Sequence, residues 1–191
     1  MFDIILASKS KARAELLKQI GLNFKVCIPD VEEKRDLIST PEELVISNAF
    51  IKAECVARKF KSGIIIAADT VVLSGNKIIG KPSNIREAHS ILRELSRRSH
   101  SVYSGLVLIN ISKKLRETAY EKTEVFMREL SDREIENYFK IINPLDKAGG
   151  FDIQGLGAAF INHIDGCFYN VVGLPLSRLA EMLDKMGQPV I

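Results

Sequence analysis

The sequence predicts an α/β domain built on a mixed, twisted sheet, and three observations carry that expectation. Helices announced by capping signals alternate with strands along the whole chain. The run Gly63-Ile-Ile-Ile-Ala-Ala68 is continuously apolar, as a central strand buried on both faces requires. Two long segments, 100–111 and 117–128, are rich in Val, Ile, Tyr and Thr and are joined by the polar turn Ser112-Lys113-Lys114. With 191 residues, 46% of them hydrophobic and 27% charged, the chain can bury a real core. It is expected to be a single domain over 1–191, alone or with a subsidiary lobe, with no repeat or low-complexity tract.

The elements follow in order. An apolar strand over 2–7 runs through Ser8, Lys9, Ser10, Lys11 and Arg13 into an amphipathic helix. Free backbone N–H groups and a positive dipole end make such a junction an anion cradle, although Ser before a helix also serves as a plain N-cap. A second strand is expected over 23–28, followed by a polar loop carrying Glu32 and Glu33. Thr40-Pro41-Glu42-Glu43 is a capping box with Pro at the first helical position, and helical spacing continues to about residue 60 with Lys52 inside. Asp69-Thr70 is expected at the carboxyl end of the strand over 63–68. A hairpin then pairs 71–73 with 77–79 around Ser74-Gly75-Asn76. Helices are expected over about 84–95, from the capping box Ser131-Asp132-Arg133-Glu134 to before Asn143-Pro144, and from Gly173-Leu174-Pro175 to about 186. The glycine-rich loop Asp146-Lys147-Ala148-Gly149-Gly150 precedes strands expected around Ile153 and over 158–164. Ser8, Asp69 and the Asp146 loop each follow an expected strand, which would gather them at one cleft.

Composition excludes several classes. A net charge of +3 is too small for a nucleic-acid surface, so no nucleic-acid partner is expected and a small anion fits better. Cys27, Cys55 and Cys167 are far apart and form no C-x-x-C, which points to buried, reduced thiols. No signal peptide and no apolar run of about 18 residues is found, so a cytoplasmic protein with no membrane partner is expected. His89, His100 and His163 lack metal-ligand spacing and read as structural.

One apparent motif is a decoy. Gly75-Asn-Lys-Ile-Ile-Gly80-Lys81-Pro82 has Walker A spacing up to its last position, but Pro82 has neither hydroxyl nor N–H and Lys77 to Ile79 reads as strand. The carboxylates say more. An unpaired charge at Asp69, beside a buried strand, would be costly, so a metal or a lysine should face it unless the residue caps a turn. Glu33, Asp69, Lys52, Lys81, Asp146 and Lys147 together supply hard oxygen ligands for Mg²⁺ or Mn²⁺ and ammonium groups for phosphates.

These residues stand in segments that carry a resemblance running nearly end to end: Leu6-Ala7-Ser8-x-Ser10-x-x-Arg13, Lys52-Ala53, Ala68-Asp69-Thr70-Val71-Val72, Gly80-Lys81-Pro82, His100-x-Val102-x-Ser104-Gly105-Leu106, Pro144-Leu-Asp146-Lys147-Ala-Gly149, Ile153-Gln154-Gly155 and Val172-Gly173-Leu174-Pro175. The chain resembles the Maf family of nucleoside triphosphate pyrophosphatases, house-cleaning enzymes once associated with septum formation. The resemblance implies an elongated, two-lobed α/β fold similar to the inosine triphosphate pyrophosphatases, a homodimer, and a site in a cleft between lobes. It also implies that Asp69 is the proton acceptor, that Glu33 and Asp69 hold the divalent metal, and that Lys52 and Lys81 serve catalysis. Ser8, Ser10, Arg13 and Lys147 would bind the triphosphate alongside them. Thr70 and Gln154 resemble the branch that acts on dTTP and UTP. Where that branch reads Ser-Pro-Arg-Arg, this chain has Ser10-Lys11-Ala12-Arg13, so a specificity arginine is replaced by Ala12. The reaction implied is cleavage between the α and β phosphates by water. The alternative is a regulator of cell division that senses nucleotides without turnover.

Overall fold

The computed structural model describes residues 3–34 and 40–191. Phe2, the first residue of the strand expected over 2–7, lies outside that range. The elements are β1 (Ile4–Leu6), α1 (Lys11–Gln19), β2 (Phe24–Val26), α2 (Pro41–Ala57), β3 (Ile64–Ser74), β4 (Lys77–Ile79), α3 (Ile85–Leu95), β5 (Ser99–Asn110), β6 (Leu115–Met127), α4 (Asp132–Phe139), β7 (Ile161–Asp165), α5 (Phe168–Val172) and α6 (Leu176–Lys185). Short 3₁₀ turns occupy Pro144–Asp146, Ala148–Gly150 and Leu156–Phe160. The seven strands run in the order β2-β1-β3-β5-β6-β7, with β4 paired to β3. β1 is parallel to both β2 and β3, whereas β3–β4 and β6–β7 are antiparallel, so the sheet is mixed as the sequence predicts.

The described residues form two compact units. The first takes the chain up to Thr70, then Ser104–Glu121 and Gly173–Ile191. Its core packs Ala49, Ala53 and Val56 of α2 onto Ile5, Ala7, Ile65, Ala67 and Val107 of the sheet. The small alanines bring the helix axis close, and Gly105 marks the tightest approach. A Cβ there would stand 2.4 Å from the carbonyl carbon of Val45 and 2.6 Å from the nitrogen of Ile46. Backbone of α2 therefore lies directly on backbone of β5, at the helix turn that precedes Asn48 and Lys52.

The second unit comprises Val71–Tyr103 and Lys122–Val172. Its core gathers Leu92 and Leu95 of α3, Ile135 and Tyr138 of α4, Val102, Val125, Phe151 and Phe160. His100 is buried there at 2% exposure, its ring edge-on to Phe151 with 5.8 Å between centroids. Among the described residues neither ring nitrogen has a hydrogen-bond partner, and burial pushes the imidazole down to about 4. The structural reading of this histidine holds: it is a neutral core residue.

Several local expectations hold for physical reasons. Thr40 and Ser131 each form a full capping box, with side chain and backbone satisfied reciprocally by Glu43 and Glu134. Asn84 caps α3 through the Glu87 N–H. Lys77–Ile79 is strand, which disposes of the Walker A decoy. Others are corrected. β3 does not stop before Asp69 but continues through Val71, Val72 and Leu73 to Ser74, because β-branched residues extend the ladder on the far side of the carboxylate. No strand forms at Ile153, where the Asp152 side chain accepts the Gly155 N–H at 2.6 Å and bends the backbone. The strand expected over 158–164 starts only at Ile161. α5 was not expected: five residues are too few for periodicity, and Asn170 anchors it by donating to the Val102 carbonyl and the Thr123 hydroxyl. The cysteines are free, as expected, but half-buried rather than buried. Among the described residues, no helix is long and apolar enough to cross a membrane.

Two expected outcomes follow from these cores. Gly105→Ala should cost about 3 kcal/mol in denaturant unfolding, because the neighbours are backbone and cannot turn aside. His100 binds a proton more readily unfolded, near 6.5, than folded, near 4. Stability should therefore be intact above pH 6.5 and fall as the pH is lowered toward 4, by up to about 3 kcal/mol, and His100→Phe should remove that slope from pH-dependent unfolding curves.

Candidate active site

The pleat of β3 organises the first unit. Ile65 and Ala67 face α2 in the core, so Asp69, two residues further, faces α2 as well. On α2, Leu44, Asn48, Lys52 and Val56 recur every fourth residue on the buried side. Two polar side chains are thereby turned inward against the one carboxylate on the sheet. Lys52 Nζ stands 2.6 Å from Asp69 Oδ1 and 2.8 Å from Glu33 Oε1. Asn48 Nδ2 donates to Asp69 Oδ2 at 2.9 Å. Asp69 and Lys52 are both buried, whereas the Glu33 side chain is 50% exposed. Of the metal or lysine expected to face Asp69, the lysine is present, and the turn-cap alternative is not realised, since Asp69 lies within a strand.

The opposite face of β3 carries a second network. Arg13 reaches from α1 to donate from Nη1 to the Ala68 carbonyl at 2.9 Å, from Nη2 to the Thr70 hydroxyl at 3.0 Å and from Nε to the Gly173 carbonyl at 2.8 Å. Thr70 Oγ1 also bonds the buried Ser104 hydroxyl at 2.7 Å. Gly173 has φ +118°, a conformation that side chains rarely adopt, and a Cβ there would meet both Thr70 Oγ1 and Arg13 Nε within 4 Å. Burial lowers the guanidinium pKa, while the carboxylates of Asp69 and Glu33 oppose that shift.

At the start of α1 the capping reading is realised. Ser10 is the N-cap and accepts from the Arg13 N–H, and its own N–H donates to Ser8 Oγ at 3.1 Å. Ser8 is buried, Lys9 and Lys11 are exposed, and Ala12 is half-buried in the first turn.

The remaining expected residues belong to the second unit. The Gly149 N–H donates to the Gly80 carbonyl at 3.2 Å, which sets the loop of Lys147 beside the loop of Lys81. Lys147 Nζ lies 3.4 Å from Asp146 and 3.5 Å from Asp152. Tyr138 accepts the Asp152 N–H at 3.2 Å, and burial pushes this phenol up to about 12. Gln154 is exposed on the bend that Asp152 holds.

Sequence reasoning missed Asn48 and Ser104. Asn48 had a legible signal, since a polar residue four before Lys52 shares its buried helical face. Ser104 had one only within the resemblance. The donor set suits a hard cation: two carboxylates with an ammonium between them already favour positive charge there, and Mg²⁺ is commonly held by one or two carboxylates plus substrate phosphates. Among the described residues no group of three or more His, Cys, Asp or Glu side chains that could hold a metal ion occurs, so a cation at Glu33 and Asp69 would need further oxygens from substrate phosphates. His163 stacks on Phe126 and His89 lies 3.5 Å from Asp132, as structural residues do.

Partner counts predict an asymmetry. Lys52→Met leaves the buried Asp69 carboxylate without its cation and should cost about 3 kcal/mol. Asp69→Asn leaves Lys52 paired with Glu33 and should cost less. Denaturant unfolding of both single variants and the double variant should show coupling, the double being more stable than the sum of the singles implies.

Comparison with known proteins gives this geometry its context. The family model of the Maf-like proteins matches residues 3–186. The dTTP/UTP pyrophosphatase of Pelotomaculum thermopropionicum is 42% identical over 191 residues, covering 100% of both chains. That of Carboxydothermus hydrogenoformans is 45% identical over 184 residues, covering 96% of this chain and 98% of the relative. That of Bacillus cereus is 45% identical over 187 residues, covering 98% and 97%. In fold, the Ham1 protein of Staphylococcus aureus superposes with a TM-score of 0.54 at 15% identity, covering 96% of this chain and 99% of that one. With a family match across nearly its full length and relatives above 40% identity, the chain belongs to the Maf-like protein family.

Proposed function

We propose that the chain hydrolyses nucleoside triphosphates to the monophosphate and pyrophosphate, with UTP and dTTP as favoured substrates. The observation that carries the reading is the buried Asp69 carboxylate, held by Lys52 and Asn48 in a chain 42–45% identical to dTTP/UTP pyrophosphatases along its length. Buried charge on a central strand is costly to the fold and is retained where chemistry uses it.

In the proposed reaction Asp69 accepts a proton from the attacking water. The water oxygen bonds to the α phosphorus, and the bond to the α–β bridging oxygen breaks, leaving its electron pair on pyrophosphate. Lys52 holds Asp69 in place through their 2.6 Å ion pair, and it stabilises phosphate charge. Mg²⁺ or Mn²⁺ held by Glu33 and Asp69 supplies further neutralisation of that charge when bound. Ser8, Ser10, Lys81 and Lys147 are proposed triphosphate contacts. Arg13 joins them through the strand it braces and through Ser8, for its donors are directed at Ala68, Thr70 and Gly173, and Nη1 also at Ser8 Oγ at 3.4 Å.

Base preference is proposed to rest on Gln154, which is exposed, and on Thr70 through the Arg13 and Ser104 network, with Ala12 loosening discrimination toward CTP. The same reading makes the protein a cytoplasmic homodimer. Pyrophosphate release from a nucleotide panel is the test. Activity should vanish with a chelator and return with Mg²⁺ or Mn²⁺, and Asp69→Asn should lower turnover at least a hundredfold while unfolding cooperatively. Binding without turnover, or release of inorganic phosphate instead, would refute the reading.

A further inference from the structure

We propose that Asn48 is a positioning residue that sets both carboxylates of the site at once, an inference that rests on the roles proposed for Asp69 and Glu33. Asn48 is 1% exposed, yet its amide is engaged on three sides. Oδ1 accepts the Lys34 N–H at 2.9 Å, and Nδ2 donates to the Lys34 carbonyl at 3.0 Å and to Asp69 Oδ2 at 2.9 Å. The amide orientation is fixed by this pattern. Turning it over would set Oδ1 against a carboxylate and a carbonyl, and Nδ2 against an N–H.

The two halves of the pattern do different things. The pair to Lys34 works like one rung of a β-ladder, tying the backbone beside Glu33 to α2 so that the Glu33 side chain reaches Lys52. The bond to Asp69 fills the carboxylate oxygen that Lys52 leaves, so both oxygens have a fixed donor and the carboxylate plane is locked. A plain loop tether would need only the first half. A neutral amide suits the second: it holds Oδ2 without adding a charge that would compete with a bound cation. Fixing both carboxylates during folding spares the substrate complex the ordering of a half-exposed Glu33.

Two substitutions in the full-length chain separate the halves. Asn48→Ala removes both: amide hydrogen exchange at Lys34, followed by NMR, should accelerate at least tenfold. Pyrophosphate release from UTP should lose at least tenfold in kcat with KM within threefold of wild type. Asn48→Asp keeps the acceptor for the Lys34 N–H but loses the donor to the Lys34 carbonyl and sets a second carboxylate against Asp69. Lys34 should exchange more slowly than in Asn48→Ala while kcat falls at least as far. Asn48→Ser carries the alanine expectations if Asn48→Ala does not fold. Unchanged Lys34 exchange in Asn48→Ala, or wild-type kcat in either variant, overturns the proposal. A wild-type chain that turns over no nucleotide would instead refute the functional reading, and Lys34 exchange alone would then decide the clamp.

Discussion

The burial of one carboxylate in the middle of a central strand constrains the rest of the first unit. Asp69 cannot sit at 5% exposure without a cation and donors within hydrogen-bond distance, so α2 must present Lys52 and Asn48 to it. For those side chains to arrive, the helix must lie against the sheet closely and in one register. Ala49 and Ala53 supply the closeness, and the bare Cα of Gly105 under Val45 supplies the register. The apolar packing and the polar cluster are thus one arrangement: repacking the interface would move the ammonium, and moving the ammonium would strand the charge.

The pleat then divides labour between neighbours in sequence. Asp69 and Thr70 are adjacent, yet they look to opposite faces, one to α2 and the other to Arg13, Ser104 and Gly173. A motif read as a block of letters suggests that both touch the same ligand. The backbone gives each its own surroundings, and the hydroxyl of Thr70 is bound into protein structure.

How far the sequence revealed this depends on the reach of each signal. Capping boxes at Thr40 and Ser131 involve four consecutive residues and were readable. So was the need of Asp69 for a metal or a lysine, because burial cost does not depend on knowing the partner's position. That β3 runs unbroken through Asp69 and Thr70 into the hairpin was not readable, since Asp and Thr are weak local signals and the ladder there is set by neighbouring strands. Ile153 failed similarly: an apolar residue suggested strand, but the Asp152 side chain bonding forward to Gly155 determined the bend. Asn48 shares the helical face of Lys52, a signal within reach of the sequence, but which sheet residue that face meets is set by the fold.

Arg13 also fixes how much the start of the chain can vary in length. β1 pairs with β3 only over Ile4–Leu6, and beyond it the Ala68 carbonyl takes its bond from a side chain rather than a strand. A guanidinium reaches a set distance from its helix, so a residue inserted or deleted between Leu6 and Lys11 would carry all its donors away from Ala68, Thr70 and Gly173 together. The tip of the β3–β4 hairpin, at Gly75 and Asn76, is exposed to solvent instead. A residue added at the hairpin tip should therefore leave the fold intact, whereas one added before the first helix should not.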